Sequence, residues 1–340
     1  YYGSNEATFI ADFNKDGYLD IVAEAYASSS AAIFWGSPNG YSQNLRTELP
    51  NRGGDHNCEV GDFDNNGWLD ILLLSISGQN YVYWGRSTGF SASDCSVLPY
   101  ASGISHGSSV ADLNNDGHLD LVFTTYASGT QTYLYWGSLN GYNTTNRTVL
   151  NPGGCFGGSF VADMNNDQYL DIIFLRGYGS YKKPVVYWGS AGSYSDFNRT
   201  EIGPTLDCSG GFIADLDYDG DLDIYLNRWN GTESYIAWGP LFNSWNCLPS
   251  DYGGHGMFRE VGNIYNRNYY ENYLSSIFNA GAVVDWNKIS WCDSLPSGTN
   301  IRMFLRSGNT SIPDSSWTAW LEVVNNGEIP AQLNAQYLQY

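Results

Sequence analysis

The chain has few basic residues: 15 Lys and Arg stand against 35 Asp and Glu in 340 residues, giving a formal net charge of −20. So few cations cannot neutralise a run of phosphates, which excludes nucleic acid as a partner. No apolar run reaches the roughly 18–20 residues that a membrane-spanning helix needs, so we expect no membrane span in this chain. Disorder is excluded as well, because 42% of the residues are hydrophobic and can form a large core.

Catalytic signatures are also missing. The sequence has no G-x-S-x-G, no H-E-x-x-H and no phosphate-binding loop. It has only 4 His, and no nucleophile motif accompanies the two that stand at matching positions, His56 and His106. We therefore predict that the protein is not an enzyme, with a calcium-dependent polysaccharide lyase as the remaining catalytic alternative.

What the chain does contain is a repeat. A nine-residue acidic segment occurs five times, and its first Asp recurs at spacings of 50, 50, 51 and 52 residues. The five segments are Asp12–Asp20, Asp62–Asp70, Asp112–Asp120, Asp163–Asp171 and Asp215–Asp223. A Trp-Gly pair follows each of them in phase: Trp35-Gly36, Trp84-Gly85, Trp136-Gly137, Trp188-Gly189 and Trp238-Gly239. Repeats of this length are typical of solenoids and propellers.

Each unit contains four short runs of β-branched and aromatic residues, whereas helix-forming residues are scarce. Four strands in about 50 residues is the size of a β-propeller blade. We predict an all-β protein in which residues 1–250 form five four-stranded blades, or part of seven if flanking sequence supplies two more. Residues 251–340 lose both markers but keep strand-like runs, which favours a small β-sandwich over the alternative of two degenerate blades.

The acidic segment has the chemistry of a calcium loop. Positions 1, 3, 5 and 9 carry Asp or Asn, position 7 can offer its backbone carbonyl, and a Gly at position 6 allows a left-handed turn. An EF-hand is excluded because position 12 is apolar in all five copies.

We predict about five Ca²⁺ ions, the tightest bound at the fifth copy, which has four carboxylates, and the weakest at the fourth, where Gln168 replaces Gly. The predicted side-chain ligands are Asp12, Asn14, Asp16 and Asp20; Asp62, Asp64, Asn66 and Asp70; Asp112, Asn114, Asp116 and Asp120; Asp163, Asn165, Asp167 and Asp171; and Asp215, Asp217, Asp219 and Asp223. The position-7 residues are Tyr18, Trp68, His118, Tyr169 and Asp221.

These motifs resemble the FG-GAP/VCBS repeats of integrin α-subunit propellers and of many bacterial extracellular proteins. The resemblance covers roughly residues 1–249 and implies that each loop joins two strands of a blade and binds Ca²⁺. Integrin-type propellers have seven blades, whereas five units are visible here. Residues 251–340 resemble the β-sandwich that follows such repeats in some bacterial surface proteins.

Six cysteines in a chain with calcium loops indicate an oxidising exterior and up to three disulfides. The repeat positions favour Cys58–Cys95, Cys155–Cys208 and Cys247–Cys292, with buried free thiols as the alternative.

Glycosylation sequons occur at Asn143, Asn146, Asn198, Asn230 and Asn309. The Trp-Gly tryptophans are expected to pack between blades, and Trp229, Trp245 and Tyr252 are better candidates for stacking on a sugar or a partner.

These observations predict an extracellular or cell-surface protein, stabilised by calcium, that acts without catalysis in adhesion, recognition or extracellular assembly. Its partner would be an extracellular protein, a glycan or other copies of the chain. A carbohydrate-binding propeller and a structural subunit of an extracellular filament or coat are the alternatives. Fold alone does not decide among them.

Overall fold

The computed structural model describes residues 5–25, 30–50, 55–75, 79–98, 107–125, 131–177, 181–191, 193–217, 219–229, 231–249, 273–275, 277–291 and 300–340. The chain divides into two compact units, Tyr1–Arg267 and Asn268–Tyr340. This division and the predicted boundary at residues 250 and 251 both fall in the segment 250–272, which lies outside the described residues.

Among its described residues the first unit contains five four-stranded antiparallel sheets, one for each sequence repeat, and we call each sheet a blade. In every blade the four strands follow one another in space as they do in sequence. Blade one contains β1 (Asn5–Ala11), β2 (Asp20–Ala25), β3 (Ser30–Phe34) and β4 (Arg46–Pro50), and blade two contains β5 (Asp55–Gly61), β6 (Asp70–Ser75), β7 (Tyr81–Tyr83) and β8 (Cys95–Val97). Blade three contains β9 (Ser108–Ala111), β10 (Asp120–Phe123), β11 (Thr132–Tyr135) and β12 (Arg147–Leu150), and blade four contains β13 (Ser159–Ala162), β14 (Asp171–Phe174), β15 (Val185–Tyr187) and β16 (Arg199–Glu201). Blade five contains β17 (Cys208–Ala214), β18 (Asp223–Arg228), β19 (Glu233–Ala237) and β20 (Trp245–Pro249).

The blades pack face to face through the alternating side chains of their central strands. In β6, Ile71 and Leu73 join a core shared with blade one, whereas Leu72 and Leu74 join a core shared with blade three. Because successive side chains of a strand point to opposite faces, an uninterrupted apolar run buries both faces of the blade. The outermost strands β16 and β20 are exposed over their whole length, whereas β4 and β12 each bury one leucine, Leu49 and Leu150.

Successive first strands also contact one another, β1 with β5, β5 with β9, β9 with β13 and β13 with β17. These contacts establish the order of the five blades and confirm the predicted all-β repeat architecture. The total number of blades and the closure of the ring stay predictions.

The second unit contains one four-stranded antiparallel sheet among its described residues. Its strands are β21 (Phe278–Val284), β22 (Met303–Gly308), β23 (Leu321–Val323) and β24 (Ala335–Gln339), in the order β21-β24-β22-β23. This order differs from that of the five blades, so the sheet does not have the topology of a degenerate blade. The predicted second layer of a sandwich is not among the residues that the structure describes, and the sandwich stays a prediction.

Helical structure in the described ranges consists of one 3₁₀ turn, Ala331–Leu333. No helix in these ranges is long and apolar enough to cross a membrane.

Candidate metal centres

Each acidic segment forms the loop between the first and second strands of its blade. In blade one, β1 ends at Ala11 and β2 begins at Asp20, so position 1 follows the first strand and position 9 opens the second. The same placement holds in the other four blades. The resemblance to FG-GAP/VCBS repeats implied this placement, in which each loop joins two strands of a blade.

Side-chain oxygens at positions 1, 3 and 5 turn inward and accept hydrogen bonds from the backbone of their own loop. In the first loop, Asp12 accepts from the N–H groups of Asp16 and Gly17, at 3.1 and 2.9 Å. Asn14 Oδ1 accepts from the Asp16 N–H at 3.0 Å, and Asp16 Oδ1 accepts from the Tyr18 N–H at 2.9 Å. The four bonds recur in the other loops at 2.7–3.2 Å. The oxygens of three side chains therefore converge on one small volume.

In each of the first four loops two residues adopt a left-handed conformation, and in the fifth loop position 6 does so, whereas its position 4 lies outside the described residues. At position 6 the Gly residues have φ of 86–96°, and Gln168 has φ of 74° in the fourth loop. At position 4, Lys15, Asn65, Asn115 and Asn166 have φ of 55–60°. The glycine preference at position 6 indicated the first of these turns. The second was missed, although Asn at position 4 of three loops is a signal for it, because Asn tolerates this conformation best after Gly.

The position-9 Asp is buried and connects the loop to the Trp-Gly pair. Asp70 is fully buried; its Oδ2 accepts from the Phe63 N–H at 2.7 Å, and its Oδ1 accepts from the Gly85 N–H at 2.7 Å. Equivalent pairs of bonds hold Asp20, Asp120, Asp171 and Asp223. We predicted these residues only as metal ligands, and the structure shows that each is also a structural acceptor. Burial raises the pKa of Asp70 and of Asp120 to about 7 and that of Asp171 to about 6.

Carboxylates cluster most tightly in the second and fifth loops. Oxygens of Asp62, Asp64 and Asp70 lie within 4.8 Å of one another. The fifth loop forms a similar group from Asp215, Asp217 and Asp219. Carboxylate and amide oxygens are the hard donors that Ca²⁺ and Mg²⁺ take, and the larger number of protein donors favours Ca²⁺. The residues present thus fit the predicted ion.

In the first, third and fourth loops, position 3 is Asn and supports the neighbouring carboxylate. Asn14, Asn114 and Asn165 each donate through Nδ2 to the position-5 Asp at 3.0 Å. The amide dipole reduces the repulsion between acids in these loops.

A family model for the FG-GAP-like repeat matches the chain in four overlapping windows, residues 12–73, 62–123, 112–174 and 163–226. Each window begins at one acidic loop and ends after the next. The chain belongs to the FG-GAP-like repeat family. No curated protein matches this FG-GAP repeat chain.

Several solved structures are similar to part of this chain at low sequence identity. An Agrocybe aegerita lectin, described as recognising non-reducing terminal N-acetylglucosamine, is 16% identical over 74% of this chain and 67% of its own, with a TM-score of 0.47. BBS1N in complex with ARL6DN is 12% identical over 74% of this chain and 84% of its own, with a TM-score of 0.41. The Photorhabdus luminescens Tc holotoxin pore is 16% identical over 74% of this chain and 11% of its own, with a TM-score of 0.40.

The first three loops of the FG-GAP repeats contact one another through position 4. Lys15 Nζ donates to the Gly67 carbonyl at 2.5 Å and lies 4.5 Å from the centre of the Trp68 ring. Asn65 Nδ2 likewise donates to the Gly117 carbonyl at 3.0 Å and lies 3.2 Å from His118 Nδ1. The left-handed turn at position 4 thus directs this side chain toward the next blade's loop.

The tryptophans of the Trp-Gly pairs are half-buried and fix the outermost strand. The indole N–H of Trp35, Trp136 and Trp188 donates to Thr47, Thr148 and Thr200 respectively, and that of Trp84 donates to Ser96, at 2.9–3.1 Å. Trp35 packs against the core between blades one and two, and Trp136 against that between blades three and four. The expected packing role between blades is therefore present.

Two sequons overlap this arrangement. Asn146 and Asn198 are exposed, and each donates through Nδ2 to the carbonyl of Trp136 or Trp188, at 3.3 and 3.1 Å. Their matching positions thus have a structural explanation apart from glycosylation. Asn143 and Asn309 are also exposed, whereas Asn230 lies outside the described residues. Glycosylation stays a prediction at all five.

The predicted disulfide between Cys58 and Cys95 is not formed. Cys58 lies on the first strand of blade two and Cys95 on the last, three strand spacings away. That separation is about 14 Å, twice the roughly 7 Å between Cα atoms that a disulfide can span. The error came from comparing sequence positions without the order of the strands in the sheet.

The predicted Cys155–Cys208 disulfide is not formed either. The two buried cysteines belong to different core clusters, and their thiols donate to the carbonyls of Gly153 and Gly210, at 3.1 and 3.4 Å. Burial raises the pKa of each thiol to about 12. The alternative of buried free thiols describes this pair.

The remaining predictions fall partly outside the described residues. Cys292, the predicted partner of the exposed Cys247, lies there, and so does Tyr252. Trp229 packs edge-on against the buried Phe156, with ring centres 5.0 Å apart, which makes it a poorer candidate for ligand stacking. Trp245 is exposed on β20 and remains a candidate.

Proposed function

We propose that this FG-GAP repeat protein is an extracellular, calcium-stabilised and non-catalytic recognition or adhesion protein. The observation that carries the proposal is the convergence of side-chain oxygens in all five loops, closest at Asp62, Asp64 and Asp70 and at Asp215, Asp217 and Asp219. Carboxylates at such distances repel one another, and a divalent cation between them converts that repulsion into attraction.

The side chains at positions 1, 3, 5 and 9 and the carbonyl at position 7 would hold the ion in each loop. Calcium supplies positive charge and a flexible coordination shell there. The chain's own part is to arrange the donors beforehand, through the hydrogen bonds of Asp12, Asn14 and Asp16 and their equivalents. Loops arranged in this way can hold calcium at extracellular concentrations.

Calcium binding is tested by dialysing purified protein against buffered Ca²⁺ and measuring the bound metal by atomic emission. We expect about five ions per chain, with fewer when Asp62 and Asp215 are both replaced by Ala. A matched control replaces Glu48 and Asp314, which are exposed acids outside the loops. Retention of no calcium by the folded wild type would contradict the proposal.

A second candidate function is carbohydrate binding. Aromatic rings at position 7 support it, because Tyr18 is 41% exposed and Tyr169 is 39% exposed. Accessible aromatic faces, here on the loops of blades one and four, can stack on sugar rings. A glycan array with wild type and with Tyr18→Ala/Tyr169→Ala tests this function. Hits that persist in the double variant would remove these rings from the site, and an array without hits would favour a protein partner or self-assembly.

A further inference from the structure

The second loop differs from the others because an arginine contacts it. Arg86 Nη1 lies 2.7 Å from Asp64 Oδ2, at position 3 of that loop, and Arg86 Nε lies 3.1 Å from Asp94 Oδ2. All three side chains are about one-third to two-fifths exposed. The guanidinium group thus bridges a loop carboxylate and an acid in the turn before the outermost strand.

Only in the second repeat is the Trp-Gly pair followed by a basic residue. The residue that follows the Trp-Gly pair is Ser37, Ser138, Ser190 or Pro240 in the other repeats. The second loop also exchanges the usual residues at positions 3 and 5, carrying Asp64 and Asn66 where the first, third and fourth loops carry Asn and then Asp. The position-3 amide that supports a carboxylate in those loops is absent here, and the Arg86 guanidinium contacts the carboxylate instead.

The fifth loop provides an internal comparison. It also has Asp at position 3, Asp217, but Pro240 follows its Trp-Gly pair. In the part of the chain that the structure describes, no salt bridge reaches Asp215, Asp217 or Asp219. The two tightest acid clusters therefore differ in their contact with a basic side chain: among the described residues, Arg86 forms a salt bridge to the second cluster, and no salt bridge reaches the fifth.

We propose that Arg86 is an intramolecular competitor of calcium at the second loop. This inference rests on the proposed function. Calcium entering among Asp62, Asp64 and Asp70 meets the repulsion of the guanidinium charge and must share or displace its bond to Asp64. In return, the second loop keeps one carboxylate neutralised when calcium is scarce, so it depends less on the ion than the fifth loop does.

The second loop can be observed separately because Trp68 stands at its position 7. Bound Tb³⁺ emits when a nearby tryptophan is excited, so the emission that Trp68→Phe abolishes reports this loop. We expect Arg86→Ser, which restores the residue of three other repeats, to lower the Tb³⁺ and Ca²⁺ midpoints of this signal roughly three- to tenfold. Arg86→Gln, which keeps most of the side-chain length, should act in the same direction. Arg46→Ser is the control for loss of a surface charge, because Arg46 pairs with Glu48 on β4.

Thermal stability provides a second measurement, because the effect of Arg86→Ser should depend on whether calcium is present. In excess EDTA, Arg86→Ser should melt below wild type, because Asp64 loses the counter-ion that Arg86 supplies. In saturating calcium, the difference should vanish or reverse. A purely structural role for Arg86 would lower the melting temperature equally in both conditions, and that result would overturn the proposal.

The two hypotheses fail in different ways. If the wild type binds calcium but the Trp68-dependent midpoint is unchanged or raised in both Arg86 variants, the competitor role is wrong and the calcium loops stand. If atomic emission finds no calcium on folded wild type, the proposed function fails and this inference fails with it.

Discussion

The backbone N–H of Gly85 donates to the buried carboxylate of Asp70 at 2.7 Å and so joins the two markers that recur in every repeat. The two chain segments approach so closely that a Cβ on Gly85 would lie 2.0 Å from the Leu69 carbonyl oxygen. The corresponding distance is 2.2–2.4 Å at Gly36, Gly137, Gly189 and Gly239. Glycine is therefore required here because a side chain would collide with the backbone of the acidic loop. A left-handed conformation is not the reason, because none of these five glycines has a positive φ.

Replacing Gly85 by Ala should destabilise the first unit by about 2–4 kcal/mol, because the new methyl group forces apart a backbone contact that cannot yield as a side chain would. Gly89→Ala in the same blade is the matched control. Gly89 has φ of +86°, and a Cβ placed on it would have nothing within 4 Å, so its substitution costs only the conformational strain, about 1 kcal/mol. Urea unfolding followed by circular dichroism measures both, and equal losses would contradict the close-contact explanation.

Position 9 and position 5 should contribute differently to stability when calcium is absent. Asp120→Ala removes the acceptor of two buried N–H groups, those of Leu113 and Gly137, at about 1–3 kcal/mol each. We expect this loss in EDTA, and a larger loss in calcium, because Asp120 is also a proposed ligand of the ion.

Asp116→Ala in the same loop is the comparison, because Asp116 is exposed and its backbone bond can be replaced by water. It should change stability by less than about 0.5 kcal/mol in EDTA and by about 2–3 kcal/mol at a calcium concentration 100 times the dissociation constant. Both variants are measured by urea unfolding. Loss of the same size for Asp116→Ala in both conditions would mean that it does not ligate the ion.

The repeats, the strands and the loops could be predicted from sequence because their signals are local and recur in phase. The alternation in β6 and the acidic pattern of Asp62–Asp70 each lie within one short segment. The Trp-Gly pair was visible as a marker, but its bond to Asp70 joins residues 15 positions apart and depends on how the loop folds against the next turn.

The predictions that failed, and the contacts that were missed, depend on how segments distant in sequence are placed beside one another. Cys58 and Cys95 were predicted to form a disulfide from their positions in the repeat. The order of the strands in blade two places them on its first and last strands, too far apart to pair. The contact of Arg86 with Asp64 could not be anticipated, because it depends on where a side chain 22 residues away is directed. In the second unit, where nothing repeats, the order β21-β24-β22-β23 is determined by tertiary packing alone.

Chelation should destabilise the repeat unit, because its converging carboxylates would then repel one another. At a calcium concentration 100 times the dissociation constant, each occupied loop contributes about 2.7 kcal/mol. We therefore expect excess EDTA to lower the melting temperature by at least about 5 °C, and calcium to restore it more fully than magnesium. Differential scanning calorimetry of the whole chain tests this, and an unchanged melting temperature in EDTA would refute calcium stabilisation.

Gln168 offers a reciprocal test of the loop's backbone. It has φ of +74°, whereas the same position in the third loop is Gly117 with φ of +86°. Gln168→Gly should relieve left-handed strain and stabilise the protein by about 1 kcal/mol, and it should raise the calcium affinity of the fourth loop because the apo loop then reaches its binding conformation at lower cost.

The reverse substitution, Gly117→Gln, should impose the same penalty on the third loop, since no atom lies within 4 Å of a Cβ placed there. Calcium titrations by calorimetry, with urea unfolding of each variant in EDTA, measure the two effects. Opposite shifts of similar size would attribute the penalty to backbone conformation. A destabilised Gln168→Gly would instead show that the Gln168 side chain contributes contacts that outweigh its strain.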